Sequence, residues 1–382
     1  MVELVTVGDE LVNVRHRLHA HPELGFREFD TTAYLVSQLT SHGITVAATP
    51  MKTGVVAVID GGRPGPRIGL RADIDGLPVE EDTGLAFSSL NPGVMHACGH
   101  DLHMSGLLGA AWWLAAHRDS IAGSVVLLFQ PAEETGRGAR SVIDADALGH
   151  LDAFIAIHNN PDYAPGEIAI GTEPMMAGCV KFSVGLHAEG THAGYPHMGT
   201  GPIEALASMI LSLQTIVSRN SSPFHPLVLS VTAVHGGDVW NVVPAEAGFT
   251  GTVRYFHHSD GQMVERRFRR IVESTAHAYG IGADVEWDDF QDPLVGDPDL
   301  ATAVAGDVDA YARLRPIRPS MAGEDFCEFE RVTRLVFAFV GSNGTEGHHD
   351  WHSPQFVGFD ATVQTAVRFY VNAALRVLRE LA

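Results

Sequence analysis

With 382 residues, 45% of them hydrophobic and 19% charged, the chain is long enough for two domains and too apolar to be disordered. Its net charge of −21 argues against nucleic acid, whose phosphates need clustered Lys and Arg, and against docking on an anionic membrane surface. No apolar run approaches the ~20 residues that span a bilayer.

The N-terminal stretch, residues 1–11, carries Glu3, Asp9 and Glu10 and lacks a basic segment followed by an apolar one, so no signal peptide is expected. Cys98, Cys179 and Cys327 stand far apart and read as free thiols in a reducing cytoplasm. Apolar spacing predicts helices over 9–19 and 31–39, then strands over 55–59, 68–70, 125–129 and 154–157. A long apolar helix over 102–116 lies between the middle two strands, with Asp101 available as its N-cap. Near-continuous apolar strands separated by helices predict an α/β fold with a largely parallel sheet covered on both faces.

From about Met175 the pattern changes. Val180, Phe182, Val184 and Leu186 alternate as in a half-exposed strand. A helix over 202–217, strands over 227–235 and 247–255, a helix over 262–279 and a strand over 283–287 follow. That β-α-β-β-α-β order predicts a ferredoxin-like unit, whose alternating strands leave an edge for pairing with a second copy. After Pro293 the first pattern returns with a helix over 300–314, a strand over 335–340 and a closing helix over 361–381. The expected organisation is a catalytic domain in two segments, 1–174 and 292–382, interrupted by an insertion over 175–291.

Between Met95 and His103 the chain reads M-H-A-C-G-H-D-L-H, which sets His96, Cys98, His100 and His103 close together. A thiolate presented with imidazoles suits zinc and neighbouring first-row metals; the alternative is a buried cysteine beside surface histidines in a chain with 21 His. The setting favours metal. Three predicted strands run into Asp73 and Asp75, into Glu133-Glu134, and into His158, at the carboxyl ends where open α/β sheets hold ligands. A turn-rich loop, Gly347-His348-His349-Asp350-Trp351-His352-Ser353-Pro354, adds further imidazoles.

These residues match a known pattern. Leu18-His19-Ala20-His21-Pro22-Glu23-Leu24, Gly69-Leu70-Arg71-Ala72-Asp73-Ile74-Asp75, His96-Ala97-Cys98-Gly99-His100-Asp101 and Gln130-Pro131-Ala132-Glu133-Glu134 are followed by Gly190-Thr191-His192-Ala193 with Pro196-His197. Gly236-Gly237, Asn241-Val242-Val243-Pro244, Gly323-Glu324-Asp325-Phe326 and His352-Ser353-Pro354 complete the set. As an ensemble the chain resembles the cocatalytic-metal amidohydrolase and metallopeptidase family of aminoacylases, hippurate hydrolases and indole-acetyl-amino-acid hydrolases.

The resemblance implies a dimetal catalytic domain with an inserted lid and dimerisation domain. It implies that Cys98, His100, Glu134, His158 and His352 are metal ligands, Cys98 contacting both ions, and that Glu133 is the general base. Asp73 would orient a ligand imidazole. Arg71 stands where other dimetal peptidases of the wider superfamily carry a ligand histidine, a role that His100 takes over. His192 resembles a lid histidine that reaches a partner's site and stabilises the oxyanion, while Asn241 and Arg254 suit a substrate carboxylate. The chain departs from the family in Ala188-Glu189-Gly190-Thr191-His192, where Glu189 replaces a basic residue.

His96 reads as structural. Asp101 stays open between function and helix capping, and His103 between function and a solvent-facing ring. His19 and His21 read as loop residues after the first helix, and His348 and His349 have no assigned partner.

The expected activity is hydrolysis of N-acyl amino acids to a carboxylic acid and a free amino acid, with two divalent ions per subunit. Zinc or manganese is expected, with cobalt and nickel as alternatives. The expected working unit is a cytoplasmic homodimer formed through the inserted domain. Two other readings stand beside it: a dipeptidase or carboxypeptidase using the same centre, and a non-catalytic metal-dependent binding protein.

Overall fold

The structure is a computed structural model that describes residues 8–382; Glu3 and most of the stretch read for a targeting signal lie outside it. The described chain divides into two compact units. One comprises the residues through Glu173 together with Val295–Arg318 and Asp325–Ala382, and the other Pro174–Leu294 with Pro319–Glu324. The short segment Pro319–Glu324 joins the second unit because Ala177 N donates to Ser320 O at 3.1 Å, a backbone pairing that no side-chain pattern advertises.

The first unit opens with α1 (Asp9–Ala20), α2 (Phe29–Ser41), β1 (Thr45–Val46), β2 (Val55–Asp60) and β3 (Arg63–Asp73). It continues with α3 (His100–Ala116), β4 (Ala122–Gln130), α4 (Gly138–Asp144), β5 (Ala153–Asn160) and β6 (Glu167–Ala169). The second unit holds β7 (Gly178–His187), β8 (Thr191–His192), α5 (Pro202–Asn220), β9 (Leu227–Gly236), β10 (Val242–Val243), β11 (Glu246–Tyr255), α6 (His258–Tyr279) and β12 (Gly282–Gln291). The chain then returns to the first with α7 (Pro298–Val308), β13 (Arg313–Arg315), β14 (Arg334–Gly341) and α8 (Ala361–Glu380).

The first unit is an α/β fold around an eight-stranded sheet of order β1-β2-β4-β3-β5-β14-β6-β13. Its centre, β4-β3-β5-β14, is parallel throughout, as the expected architecture requires. Antiparallel pairings occur towards the edges. Helix α3 has no polar stripe, which is why all of it but its last turn can lie inside the core. Gly106 and Gly109 let its neighbours come close: a Cβ at Gly109 would sit 2.5 Å from Leu11 Cδ2 and 2.6 Å from Val367 Cγ2.

The second unit packs α5 and α6 on a four-stranded antiparallel sheet of order β12-β7-β11-β9. The strand order and the β-α-β-β-α-β succession are those of a ferredoxin-like fold. Val180, Phe182, Val184 and Leu186 bury one side of β7, as their alternation requires.

Several sequence expectations need correction. Helix α3 begins two residues earlier than an Asp101 cap allows, with Gly99 as its N-cap at φ 81°. His158 lies within β5 and not past its end, because β14 continues the ladder through Asn160. The helix expected over 300–314 stops at Val308, and Arg313–Arg315 instead pairs in parallel with β6, where sheet hydrogen bonding overrides apolar spacing. His19 belongs to the last turn of α1. The two-residue pair β8–β10 was too short to be expected.

Candidate metal centre

The carboxyl ends of β3, β4 and β5, the start of α3 and the loop before α8 bring Cys98, His100, Glu134, His158 and His352 together. Two trios of donor atoms, Cys98/His100/His158 and Cys98/Glu134/His352, each have their atoms within 4.8 Å of one another, and they share the Cys98 sulfur. Cys98 Sγ lies 3.4 Å from His158 Nε2, and His352 Nε2 lies 3.5 Å from Glu134 Oε2. Gly99 makes the corner between Cys98 and His100 possible. It is left-handed, and a Cβ there would fall 2.5 Å from Asn159 Nδ2, the amide that donates to Cys98 O.

Each imidazole is turned by a hydrogen bond on its outer nitrogen. His100 Nδ1 donates to Asp75 O at 2.9 Å, and His158 Nδ1 donates to Asn159 O at 2.7 Å. Both rings therefore direct Nε2 inward, where in the neutral form it offers a lone pair, the arrangement that metal-binding histidines use. His352 is exposed, and its left-handed backbone (φ 64°) is held by its N–H on Ala97 O at 2.9 Å.

The donor set fits a divalent ion. His100 Nε2 and Glu134 Oε1 are buried without a hydrogen bond and face one another at 3.8 Å, a gap in which a bound cation would satisfy both. Burial pushes the Glu134 carboxyl up to about 7 against the opposing pull of His100. Burial disfavours charge on His100, yet Asp73, Asp75 and Glu134 outweigh it and raise that ring to about 10. Burial and the carboxylates of Glu134, Glu133 and Asp73 hold the Cys98 thiol well above its ordinary value. All three shifts describe a buried, anion-rich pocket that favours positive charge, and metal binding would draw the thiol into its thiolate form. Burial also keeps His158 below the usual imidazole range, in the neutral form that ligates, and His352, though its outer edge meets solvent, is lowered by desolvation of its inner side and by the neighbouring His100 charge.

Glu133 precedes Glu134 in a short 3-10 turn after β4 and is buried. Its Oε1 accepts the backbone N–H of Asp325 at 3.3 Å, an anchor that its neighbour's carboxylate does not share. Asp325 in turn accepts from Arg71 Nη2 (3.1 Å), Gln130 Nε2 (2.8 Å) and Ala139 N (2.8 Å). The ring that Asp73 binds directly is that of His103, at 2.6 Å; its Oδ2 lies 3.5 Å from His100 Nε2.

His103 is fully buried, which corrects the solvent-facing alternative. Its Nδ1 donates to Asp73 and its Nε2 accepts from Asn159 N at 2.8 Å, so both nitrogens are engaged. Asp101 pairs with Arg15 (2.9 Å) and His19 (3.1 Å), partners distant in sequence that no local pattern announces. His96 is buried, and burial lowers it to about 3. His21 is the C-cap of α1, and His348 meets Asp162 at 3.3 Å. The signal that could have singled out Asp75 was its alternation with Asp73 at the end of a strand.

In the second unit His192 is exposed and pairs in register with Val242, and Ala193 N donates to Asn241 O at 3.0 Å. His192 and Asn241 therefore lie on one ribbon, beyond the Glu246 end of β11. Arg254 is half-buried near the opposite end of that strand, beside Cys179.

This fold and this donor set define a hydrolase built around a dinuclear metal centre. The model of peptidase family M20/M25/M40 matches residues 69–376, and the chain belongs to that family. It is 42% identical to an N-acetyl-L-cysteine deacetylase of Bacillus subtilis over 99% of this chain and 90% of that protein. It is 33% identical to thermostable carboxypeptidase 1 of Saccharolobus solfataricus over 88% of this chain and 86% of that one. A Bacillus subtilis crystal structure described as a dinuclear metal-binding peptidase of the M20 family superposes with a TM-score of 0.88 at 34% identity, covering 98% of this chain and 99% of the other.

Proposed function

We propose that this protein hydrolyses N-acyl amino acids to a carboxylic acid and a free amino acid. Cys98, His100, Glu134, His158 and His352 would hold two divalent ions, zinc or manganese, with cobalt and nickel as alternatives. The observation that carries this reading is the pair of donor trios sharing the Cys98 sulfur beside a separately anchored Glu133. When bound, such ions polarise the acyl carbonyl and lower the pKa of a water. Glu133 takes the proton of the attacking water at its carboxylate and returns it to the departing amine nitrogen. Asp73 steadies the buried imidazoles of His103 and His100.

The working unit in this reading is a homodimer formed through the second unit. His192 of a neighbouring subunit donates to the developing oxyanion, and Asn241 and Arg254 receive the substrate carboxylate. Along β11, Glu246 and Arg254 are roughly 27 Å apart at ~3.4 Å per residue. An N-acetyl amino acid spans only two peptide units, ~7 Å, so a ribbon and an arginine at opposite ends of one strand fit one substrate only when two copies supply them. The sheet edges favour the same arrangement. Strand β12 carries Asp284, Glu286, Asp288 and Asp289, which oppose strand addition, whereas β9 is uncharged apart from its histidine and ends with Val234 exposed.

Cytoplasmic residence is proposed from the three free cysteines. Among the described residues no helix is long and apolar enough to cross a membrane. A carboxypeptidase or dipeptidase activity is the second reading, favoured by the likeness to the Saccharolobus enzyme. The protein loaded with zinc, manganese or cobalt is expected to release amine from N-acetyl, N-benzoyl or indole-acetyl amino acids faster than from dipeptides. Faster dipeptide cleavage selects the second reading. Silence on every substrate with every metal supports a binding protein and refutes the proposal.

A further inference from the structure

The chain leaves β4 through a sharp corner. Ala132 is left-handed (φ 58°, ψ 35°), a region sparsely populated by residues with a Cβ, and the 3-10 turn Glu133–Thr135 follows at once. The backbone N–H groups of Ala132, Glu133 and Glu134 open a helical turn, where such groups lack intrahelical carbonyls. Two buried carboxylates take all three. Glu28 Oε1 accepts from Ala132 N at 2.8 Å, Asp75 Oδ1 from Glu133 N at 3.1 Å, and Asp75 Oδ2 from Glu134 N at 3.0 Å. A left-handed residue leading into a helical turn makes a concave nest of N–H groups that favours an anion. Here the anion is a side chain of the same protein, only 1% exposed.

The same residue reaches the imidazole side of the centre, since the Asp75 carbonyl accepts from His100 Nδ1 at 2.9 Å. Nothing about metal chemistry requires an aspartate at this position, as Asp75 belongs to neither donor trio that shares Cys98. Its two oxygens and its carbonyl nevertheless meet the backbone of the base, the backbone of a carboxylate donor and the ring of a third group.

We propose that Asp75 is a positioning residue that sets Glu133, Glu134 and His100 in one mutual geometry, so that the base and the metal donors cannot drift apart. The inference rests on the metal-centre reading above. Asp75→Asn alters the side chain, whose Oδ1 also lies 3.4 Å from His100 Nδ1, and spares the backbone. An amide offers one acceptor oxygen where the carboxylate offers two, so one of the two N–H bonds is lost, while the backbone carbonyl that holds His100 is untouched.

The experiment begins with wild-type protein, measuring metal affinity by competition with a chromogenic chelator and amine release from N-acetyl amino acids. Asp75→Asn is then compared in thermal melting, metal affinity, the visible spectrum of the cobalt-loaded form, kcat and KM. The expected result is a folded variant whose metal affinity is ~10–100-fold weaker. In excess metal its kcat should fall ~100-fold while KM stays within ~3-fold, and its cobalt spectrum should change. A variant that melts below the assay temperature is replaced by Asp75→Ser, read in the same way.

Wild-type protein that takes up no metal refutes the metal-centre reading. Wild-type protein that binds metal and turns over, with a variant of unchanged affinity, spectrum and kcat, overturns the positioning role alone. A loss confined to melting temperature, or unfolding of both variants, makes Asp75 a stability residue and also overturns it.

Discussion

Mixing two inactive variants tests how the second unit serves the centre. His192→Ala removes the proposed oxyanion donor, worth roughly 2.7–4 kcal/mol, or about 10²–10³-fold in kcat. Glu133→Gln removes the base and leaves His192 intact. Because His192 and Asn241 lie beyond one end of β11 and Arg254 near the other, roughly 27 Å away at ~3.4 Å per residue, the reading requires the ribbon to serve a neighbour's centre. In a mixed dimer, the His192→Ala chain keeps its Glu133 and receives His192 from the other chain, so one of the two sites is whole. Free exchange of equal amounts makes about half the dimers mixed, so amine release should recover to about a quarter of wild type if sites are independent. Native mass spectrometry reports the exchange and a coupled amine assay reports turnover. Complete exchange with no recovered turnover would refute the trans arrangement.

Other outcomes follow from the same geometry. Glu133→Gln should lose about 10²–10⁴-fold in kcat with metal content unchanged, whereas Glu134→Gln should release metal; equal metal loss in both would undo the division between them. Cys98→Ala should lose at least one of two metal equivalents by elemental analysis, since its sulfur is common to both trios. Burial opposes charge on His19, but Asp101 and Glu81 overcome it and raise the ring to about 9. Its contribution, of order 3 kcal/mol, is complete below the ordinary histidine value and is lost as pH rises through about 9. Chemical denaturation of wild type and His19→Asn should therefore converge between pH 7 and 10, and parallel curves would refute the pairing.

How much could be read from residues alone depended on the range of the determining interaction. The core of the sheet was legible because β2, β4 and β5 are buried on both faces and appear as unbroken apolar runs. The apolar body of α3, from Gly106 to Ala116, was legible for the same reason. Strand β13 was not, since Tyr311 and Leu314 continue a helical spacing while the strand is set by hydrogen bonds to β6 from far along the chain. At the centre, Cys98 and His100 announced themselves by scarcity and proximity. His103 and His19 did not, because their surroundings are made by Asp73 and Asn159 in one case and by Glu81 and Asp101 in the other. Asp75 is visible beside Asp73 at the end of its strand, but its role is not, because its carboxylate meets backbone N–H groups, which leave no mark in a sequence.

The central claim is that hydrolysis runs on two metal ions held around Cys98 with Glu133 as the proton carrier. Titrating chelator-stripped protein with zinc or manganese while following amine release from an N-acetyl amino acid tests it directly. The account predicts no turnover without metal, a plateau at about two equivalents, and the same uptake without turnover in Glu133→Gln. Full turnover in the stripped protein, or saturation unaffected by Cys98→Ala, would contradict it.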